Sequence, residues 1–161
     1  DGLTLDLDAA DLASRSRDLQ RRFHPDRFAA APGPERRLSV QMTAQINAAY
    51  QTLRDDVARG RYLLGLQGIN TDEETDTRMD PAFLMEQLEL REELDEARQG
   101  DDRPARLAGL RERVERLQAA KTGLLRACFA EDSDVARQPA LDMVSEMQFL
   151  QKLANEIEAL E

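Results

Sequence analysis

A proline at position 25 is the strongest local constraint on how this chain can fold. The stretch Phe23-His24-Pro25-Asp26-Arg27-Phe28 contains the only histidine and follows an arginine-rich amphipathic segment. Proline has no N–H to donate within a helix, and it disfavours the helical conformation for the residue before it. The pattern therefore predicts that a helix ends here and that His24 and Asp26 lie exposed on a tight loop between two helices.

The residues on both sides of this loop favour helices. Ala, Leu, Glu, Arg and Gln are abundant, whereas Val, Ile and Thr are few. Apolar residues at helical spacing, together with capping and breaking residues, predict six helices. These run from Asp8 to Phe23, from Pro34 to Arg54, from Asp55 or Asp56 to Leu66, from Pro81 to Gln99, from Pro104 to Ala130, and from about Pro139 to Leu160. The predicted fold class is all-α, with an N-terminal helical hairpin, a linker over residues 69–79 and a C-terminal antiparallel three-helix bundle.

Three details of the predicted packing depend on spacing alone. Leu38 falls on the apolar stripe of the second helix, so it is expected in the core. Leu124 and Cys128 continue the 3-4 spacing of the fifth helix, which is typical of a coiled-coil seam. Residues 131–138 are expected to form a turn, with Pro139 at the start or at a kink of the last helix.

Charge is unevenly distributed along the chain. Residues 71–102 carry 13 of the 32 acidic residues but only 3 of the 22 basic ones, which accounts for the whole net charge of −10. A neutral body with an acidic middle argues against nucleic-acid binding, which needs a basic face. One Cys and one His cannot complete a zinc site or an internal disulfide, so no metal, cofactor or disulfide is predicted. No apolar run is long enough to cross a membrane, and the lone cysteine suits a reducing compartment.

The His24–Asp26 pair allows more than one interpretation. A small hydrolase could use the two side chains as an acid–base pair, but it would also need a nucleophile or metal and a concave pocket. The loop supplies none of these, so no catalytic residue is predicted. A plain turn is the second interpretation. A docking site explains more, because Pro25 fixes a presented imidazole and carboxylate beside a helix where five Arg outnumber three Asp over residues 11–27.

The fourth predicted helix carries a second set of apolar residues away from its core stripe. Phe83, Leu90, Leu94 and Ala97 form the stripe, whereas Leu84, Met85 and Leu88 project to another side, which they share with Glu89, Glu92 and Glu96. Either the helix is buried over a wide face, or this side is an exposed apolar patch with an acidic rim. Unpaired buried carboxylates are strongly disfavoured, so this side is expected to be open to solvent. An exposed apolar patch with an acidic rim is typical of a protein-binding site.

Three stretches of sequence carry a resemblance to a known family. The first is Asp18-Leu19-Gln20-Arg21-Arg22-Phe23-His24-Pro25-Asp26-Arg27-Phe28, and the second is Ile46-Asn47-Ala48-Ala49-Tyr50-Gln51-Thr52-Leu53-Arg54. The third is Phe83-Leu84-Met85-Glu86-Gln87-Leu88-Glu89-Leu90-Arg91-Glu92-Glu93-Leu94-Asp95-Glu96. The His-Pro-Asp tripeptide resembles the signature of J-domain co-chaperones. All three stretches together resemble the HscB family of iron–sulfur cluster biogenesis over essentially the whole chain.

The resemblance implies a fold and two partners. It implies a J-domain over residues 1–68, with its first helix missing or truncated, a linker over 69–79, and a scaffold-binding bundle over 80–161. The J-domain would stimulate the ATPase of a DnaK-like chaperone, HscA, and the bundle would bind the iron–sulfur scaffold protein IscU. The implied compartment is the bacterial cytoplasm, or the mitochondrial matrix in a eukaryote. A general J-protein for unfolded clients remains the alternative within this class.

The resemblance also assigns residues to each partner. The residues implied to contact the chaperone are His24, Pro25 and Asp26 with Arg17, Arg21 and Arg22. The residues implied to contact the scaffold are Leu84, Met85, Leu88, Glu89, Glu92, Glu96 and Phe149.

Overall fold

The computed structural model describes residues 4–71, 80–131 and 133–161, and over these ranges the regular structure is entirely helical. The α-helices are α1 (Ala9–Phe23), α2 (Gly33–Arg54), α3 (Asp56–Leu66), α4 (Pro81–Gln99), α5 (Arg103–Glu131) and α6 (Asp134–Glu158). A single turn of 3-10 helix, Pro25–Phe28, lies between α1 and α2. No helix in the described part of the chain is long and apolar enough to cross a membrane. Most of the predicted linker, residues 72–79, lies outside the described residues.

Capping side chains define where several helices begin. The Asp8 carboxylate accepts the backbone N–H groups of Ala10 and Asp11, and the Asp80 carboxylate accepts that of Ala82. Pro81 occupies the first turn of α4, where its missing N–H costs no helical hydrogen bond. Gly68 follows α3 with φ of +80°, a conformation that glycine adopts without steric cost. The helix starts predicted at Asp8 and at Pro81 are confirmed to within one residue.

The long helices α5 and α6 pack against each other in antiparallel orientation, and both contribute residues to two apolar cores. The bundle core lies where α4 packs on this pair; its fully buried members include Leu90, Leu94, Val114 and Leu150. The junction core lies at the other end of the pair, where α3 and Leu5 pack on it. Its members include Leu64, Leu125, Phe129 and Val144.

Close packing at the junction core depends on Gly60 of α3. A Cβ added to this glycine would lie 3.0 Å from Leu125 Cδ2 and 3.0 Å from Val144 Cγ2. The Asp55 carboxylate, just before α3, also accepts a hydrogen bond of 2.7 Å from the Gln151 amide of α6. Apolar contact and a polar link therefore both hold α3 against the α5–α6 pair.

Between the two cores, a charged pair interrupts the apolar packing. Lys121 Nζ lies 2.5 Å from a carboxylate oxygen of Glu146, and both side chains are largely buried. The same ammonium group lies 4.8 Å from the centroid of the Phe83 ring. The interface between α5 and α6 therefore contains an ion pair that also contacts an aromatic face.

Three packing predictions are wrong in detail. Leu38 is exposed and Ser39 is buried in its place, because α2 meets α1 along the side that carries Ser39 and Thr43. Leu124 is 54% exposed, whereas Leu125 and Phe129 are buried. A helix of 3.6 residues per turn drifts away from a strict 3-4 pattern, and α3 packs on the side towards which α5 has drifted.

The third wrong detail concerns the start of α6. The helix begins at Asp134, so residues 134–138 are helical, and Pro139 lies inside the helix. Ser133 caps the helix by accepting the Ala136 N–H. Ala136 and Ala140, on either side of Pro139, are buried, so this part of α6 packs against the rest of the protein.

Candidate functional site

The loop after α1 holds His24, Pro25 and Asp26 at the turn of the α1–α2 hairpin. His24 leaves the helical conformation, with ψ of 130°, as the following proline requires. The side chains of His24 and Asp26 are 56% and 91% exposed. The predicted exposed loop between two helices is confirmed.

Hydrogen bonds within the loop fix its shape. The Asp26 backbone N–H donates to His24 Nδ1 at 3.3 Å, and the Arg27 N–H donates to the His24 carbonyl at 3.0 Å. A neutral imidazole that accepts at Nδ1 carries its proton on Nε2. The Asp26 carboxylate lies 3.6 Å from the same Nδ1, beyond hydrogen-bonding distance, so the Asp26 N–H is the nearer partner of this nitrogen. The loop therefore presents polar groups on a backbone that internal hydrogen bonds order.

The arginines of α1 extend the loop surface. Arg17 and Arg22 are exposed, and the Arg22 guanidinium lies 6.0 Å from the centroid of the Phe23 ring. Arg21 pairs with Asp18 one turn earlier on the same helix. Arg27 also contributes, because its guanidinium donates to the Arg21 carbonyl at 3.3 Å. Sequence reasoning did not assign Arg27 to this surface, although it directly follows the tripeptide.

The second surface lies on α4. Leu84, Met85 and Leu88 are 44%, 60% and 59% exposed, whereas Phe83 and Leu90 are buried. The prediction that this side of α4 is open to solvent is therefore confirmed. We call Leu84, Met85 and Leu88 the α4 patch.

Two arginines of α5 form ion pairs with two of the glutamates beside this patch. Arg113 lies 3.1 Å from the Glu89 carboxylate, and Arg106 lies 3.3 Å from that of Glu96. The two glutamates are seven residues apart, and so are the two arginines, as antiparallel neighbouring helices require. Sequence reasoning missed this pairing, which the matched spacing could have indicated. Glu92 lies exposed between the two paired glutamates.

Phe149 of α6 contacts the start of α4. Its ring meets the Phe83 ring edge to face, with centroids 5.9 Å apart at 89°. The Arg91 guanidinium lies 5.3 Å from the Phe149 centroid and is itself 2.6 Å from the Glu156 carboxylate. The hydrogen bond from Arg91 lowers the pKa of Glu156 below its ordinary value. Phe149 therefore packs against Phe83 in the N-terminal part of α4, from which the α4 patch also projects.

A helical hairpin with His-Pro-Asp at its turn, carried on a three-helix bundle, defines a J-domain co-chaperone. Residues 79–158 match the family described as the HSCB C-terminal oligomerisation domain. A co-chaperone protein HscB homolog of Vibrio cholerae serotype O1 (strain M66-2) is 43% identical over 99% of this chain and 91% of its own length. The chain belongs to the HscB family of co-chaperones.

Two solved structures share the fold. The chaperone HscB from Vibrio cholerae superposes with a TM-score of 0.84 at 41% identity, over 98% of this chain and 90% of that chain. The human co-chaperone protein HscB gives a TM-score of 0.88 at 30% identity, over 98% of this chain and 76% of that chain. The predicted all-α fold, with its J-domain hairpin and C-terminal bundle, is confirmed.

Proposed function

We propose that this co-chaperone stimulates ATP hydrolysis by a DnaK-like chaperone, HscA, and delivers the iron–sulfur scaffold protein IscU to it during cluster assembly. The observation that carries the proposal is that one chain presents two separate exposed surfaces with different chemistry. The loop at His24-Pro25-Asp26 is polar and lies beside arginines, whereas the α4 patch is apolar and has an acidic rim. We place this chain in the bacterial cytoplasm, because the curated relatives that it matches are bacterial.

The loop surface suits contact with the chaperone ATPase. Its backbone is already ordered by internal hydrogen bonds, so docking loses little conformational entropy. Arg17, Arg21 and Arg22 would steer the loop onto an acidic surface. A tenfold gain in the hydrolysis rate requires only about 1.4 kcal/mol of preferential binding to the hydrolysis-competent state. An exposed loop with a few arginine contacts can supply a free energy of this size.

The α4 patch suits contact with the scaffold. Three half-exposed apolar side chains would act as anchors, with Phe149 as an aromatic neighbour and Glu89, Glu92 and Glu96 as a polar rim. Apolar anchors within a polar rim are the usual anatomy of a binding hot spot. We assign chaperone stimulation to residues 1–68 and scaffold binding to residues 80–161, with 69–79 as the connection.

The test is ATPase stimulation by loop variants. His24→Gln and Asp26→Asn should each abolish stimulation of the chaperone, whereas the melting temperature should change little, because exposed side chains contribute little packing. Asp101→Asn, in the exposed turn between α4 and α5, is a matched control that should stimulate normally. Normal stimulation by both loop variants would refute the chaperone assignment.

The same assay separates the alternatives. If this chain is a general J-protein, adding unfolded polypeptide should raise the ATPase activity of the chaperone as adding the scaffold does. A small hydrolase would turn over substrate without any chaperone, and His24→Gln would remove that turnover.

A further inference from the structure

The carbonyl of Phe23, the last residue of α1, lacks a partner from its own helix. In a continuous helix it would accept the N–H of Arg27, but that N–H donates to the His24 carbonyl instead. Carbonyls at a helix C-terminus require a partner from elsewhere. The Phe23 carbonyl obtains one from α2, because the Thr43 hydroxyl donates to it at 3.0 Å in a partly buried position.

The direction of this hydrogen bond is unusual for a threonine within a helix. A helical Ser or Thr commonly donates to a carbonyl of its own preceding turn. Ser145 of α6 does this, with its hydroxyl 3.1 Å from the Leu141 carbonyl. Thr43 instead donates to a different helix, at the residue where α1 ends and the loop begins.

A second polar link lies one turn further along the hairpin. The Gln20 amide donates to the Asn47 side-chain oxygen at 2.7 Å, and Asn47 is four residues after Thr43 on α2. Both links join α1 to α2 close to the loop. The Thr43 bond is the nearer one, because its acceptor is the residue that directly precedes His24.

We infer that Thr43 is a positioning residue for the His24-Pro25-Asp26 loop. Its hydroxyl holds the last turn of α1 against α2, and this fixes where the loop leaves the hairpin. Without the hydroxyl, the free chain spends less of its time with the loop in the docking geometry. The apparent affinity for the chaperone falls in proportion to the fraction of molecules whose loop is in the docking geometry. The rate of hydrolysis in the complex is unchanged. The inference rests on the proposed function of the loop.

The test is Thr43→Val, which keeps the β-branched shape and removes the hydroxyl. In the full chain, the concentration that gives half-maximal ATPase stimulation should rise about three- to tenfold, as expected for one lost hydrogen bond. The maximal stimulated rate should stay the same. Thr43→Ser, which keeps the donor, should restore the wild-type concentration. Ser145→Ala removes a hydroxyl that bonds within its own helix, α6, and should behave as wild type.

Two further measurements distinguish positioning from a general loss of stability. Hydrogen exchange at the Arg27 amide should become faster in Thr43→Val, because its bond to the His24 carbonyl lies within the loop. Binding of the scaffold to the α4 patch should be unchanged.

The outcomes separate this inference from the proposed function. If His24→Gln abolishes stimulation but Thr43→Val leaves the half-maximal concentration unchanged, the inference is overturned and the proposed function stands. A parallel loss of scaffold affinity in Thr43→Val, or failure of Thr43→Ser to restore docking, also overturns it. If His24→Gln and Asp26→Asn both stimulate normally, the proposed function fails, and the docking role of Thr43 fails with it.

Discussion

Replacing Leu84, Met85 and Leu88 together by alanine tests whether the α4 patch is an interface or part of the core. About half of each side chain is already exposed, so each substitution removes only part of a buried contact. We expect each to cost about 1 kcal/mol of folding free energy, compared with about 2–5 kcal/mol for a fully buried leucine. The triple variant should therefore remain folded.

The effect on scaffold binding follows from the same exposures. Complete burial of a Leu or Met side chain contributes about 1.5–3 kcal/mol. The exposed halves of the three side chains would then contribute about 1 kcal/mol each on binding, or about 3 kcal/mol together. This corresponds to a rise of about a hundredfold in the Kd for the scaffold.

Isothermal titration of the scaffold into the folded variant measures this change. Leu124→Ala is the matched control, because Leu124 is 54% exposed on α5 but lies outside the α4 patch. It should leave the Kd unchanged. Leu90→Ala shows the effect of truncating a core residue, since Leu90 is fully buried in the bundle core and its loss should destabilise the fold. Stimulation of the chaperone without scaffold should persist in the triple variant.

Two results would refute this reasoning. If the triple variant unfolds while Leu124→Ala does not, the three side chains contribute to the core despite their exposure. If the variant folds and binds the scaffold with the wild-type Kd, the scaffold binds elsewhere.

Three further predictions follow from charges and close contacts. Raising the salt concentration should slow association with the chaperone more than it speeds dissociation, and Arg21→Gln with Arg22→Gln should weaken this dependence; an association rate insensitive to salt would contradict the steering role. The lowered pKa of Glu156 means that its ion pair stabilises the fold above the ordinary glutamate pKa and that this contribution is lost as the pH falls through the lowered value. The stability difference between wild type and Glu156→Gln, measured by urea unfolding, should therefore shrink on acidification from pH 7; a constant difference would contradict it. Gly60→Val should destabilise the fold by about 1–3 kcal/mol, because its added atoms meet two side chains in the junction core. Gly65→Ala, with open space around it, should stabilise the fold by about 0.4–1 kcal/mol. Equal unfolding midpoints for the two variants would count against the packing argument.

Local chemistry was enough to predict five of the six helix starts to within one residue, the exposed loop and the exposed side of α4, but it misplaced the start of α6. Pro25 donates no N–H and disfavours the helical conformation of His24, so α1 ends there and His24 is exposed. Asp80 and Pro81 start α4 for an equally local reason. The exposure of the α4 patch also followed from the sequence, because a helix cannot bury apolar side chains all round while glutamates occupy the same side.

Long-range packing decided what the sequence could not. Spacing along α5 did not distinguish Leu124 from Leu125, because the choice depends on the side from which α3 approaches. The pairing of Arg113 with Glu89 and the bond from Thr43 to the Phe23 carbonyl each join residues at least 20 positions apart. A side chain's own sequence neighbours fix its helix and its face, but its partner on another helix depends on how the two helices are aligned and rotated. That alignment is set by the burial of whole apolar faces, which is a property of the assembled chain.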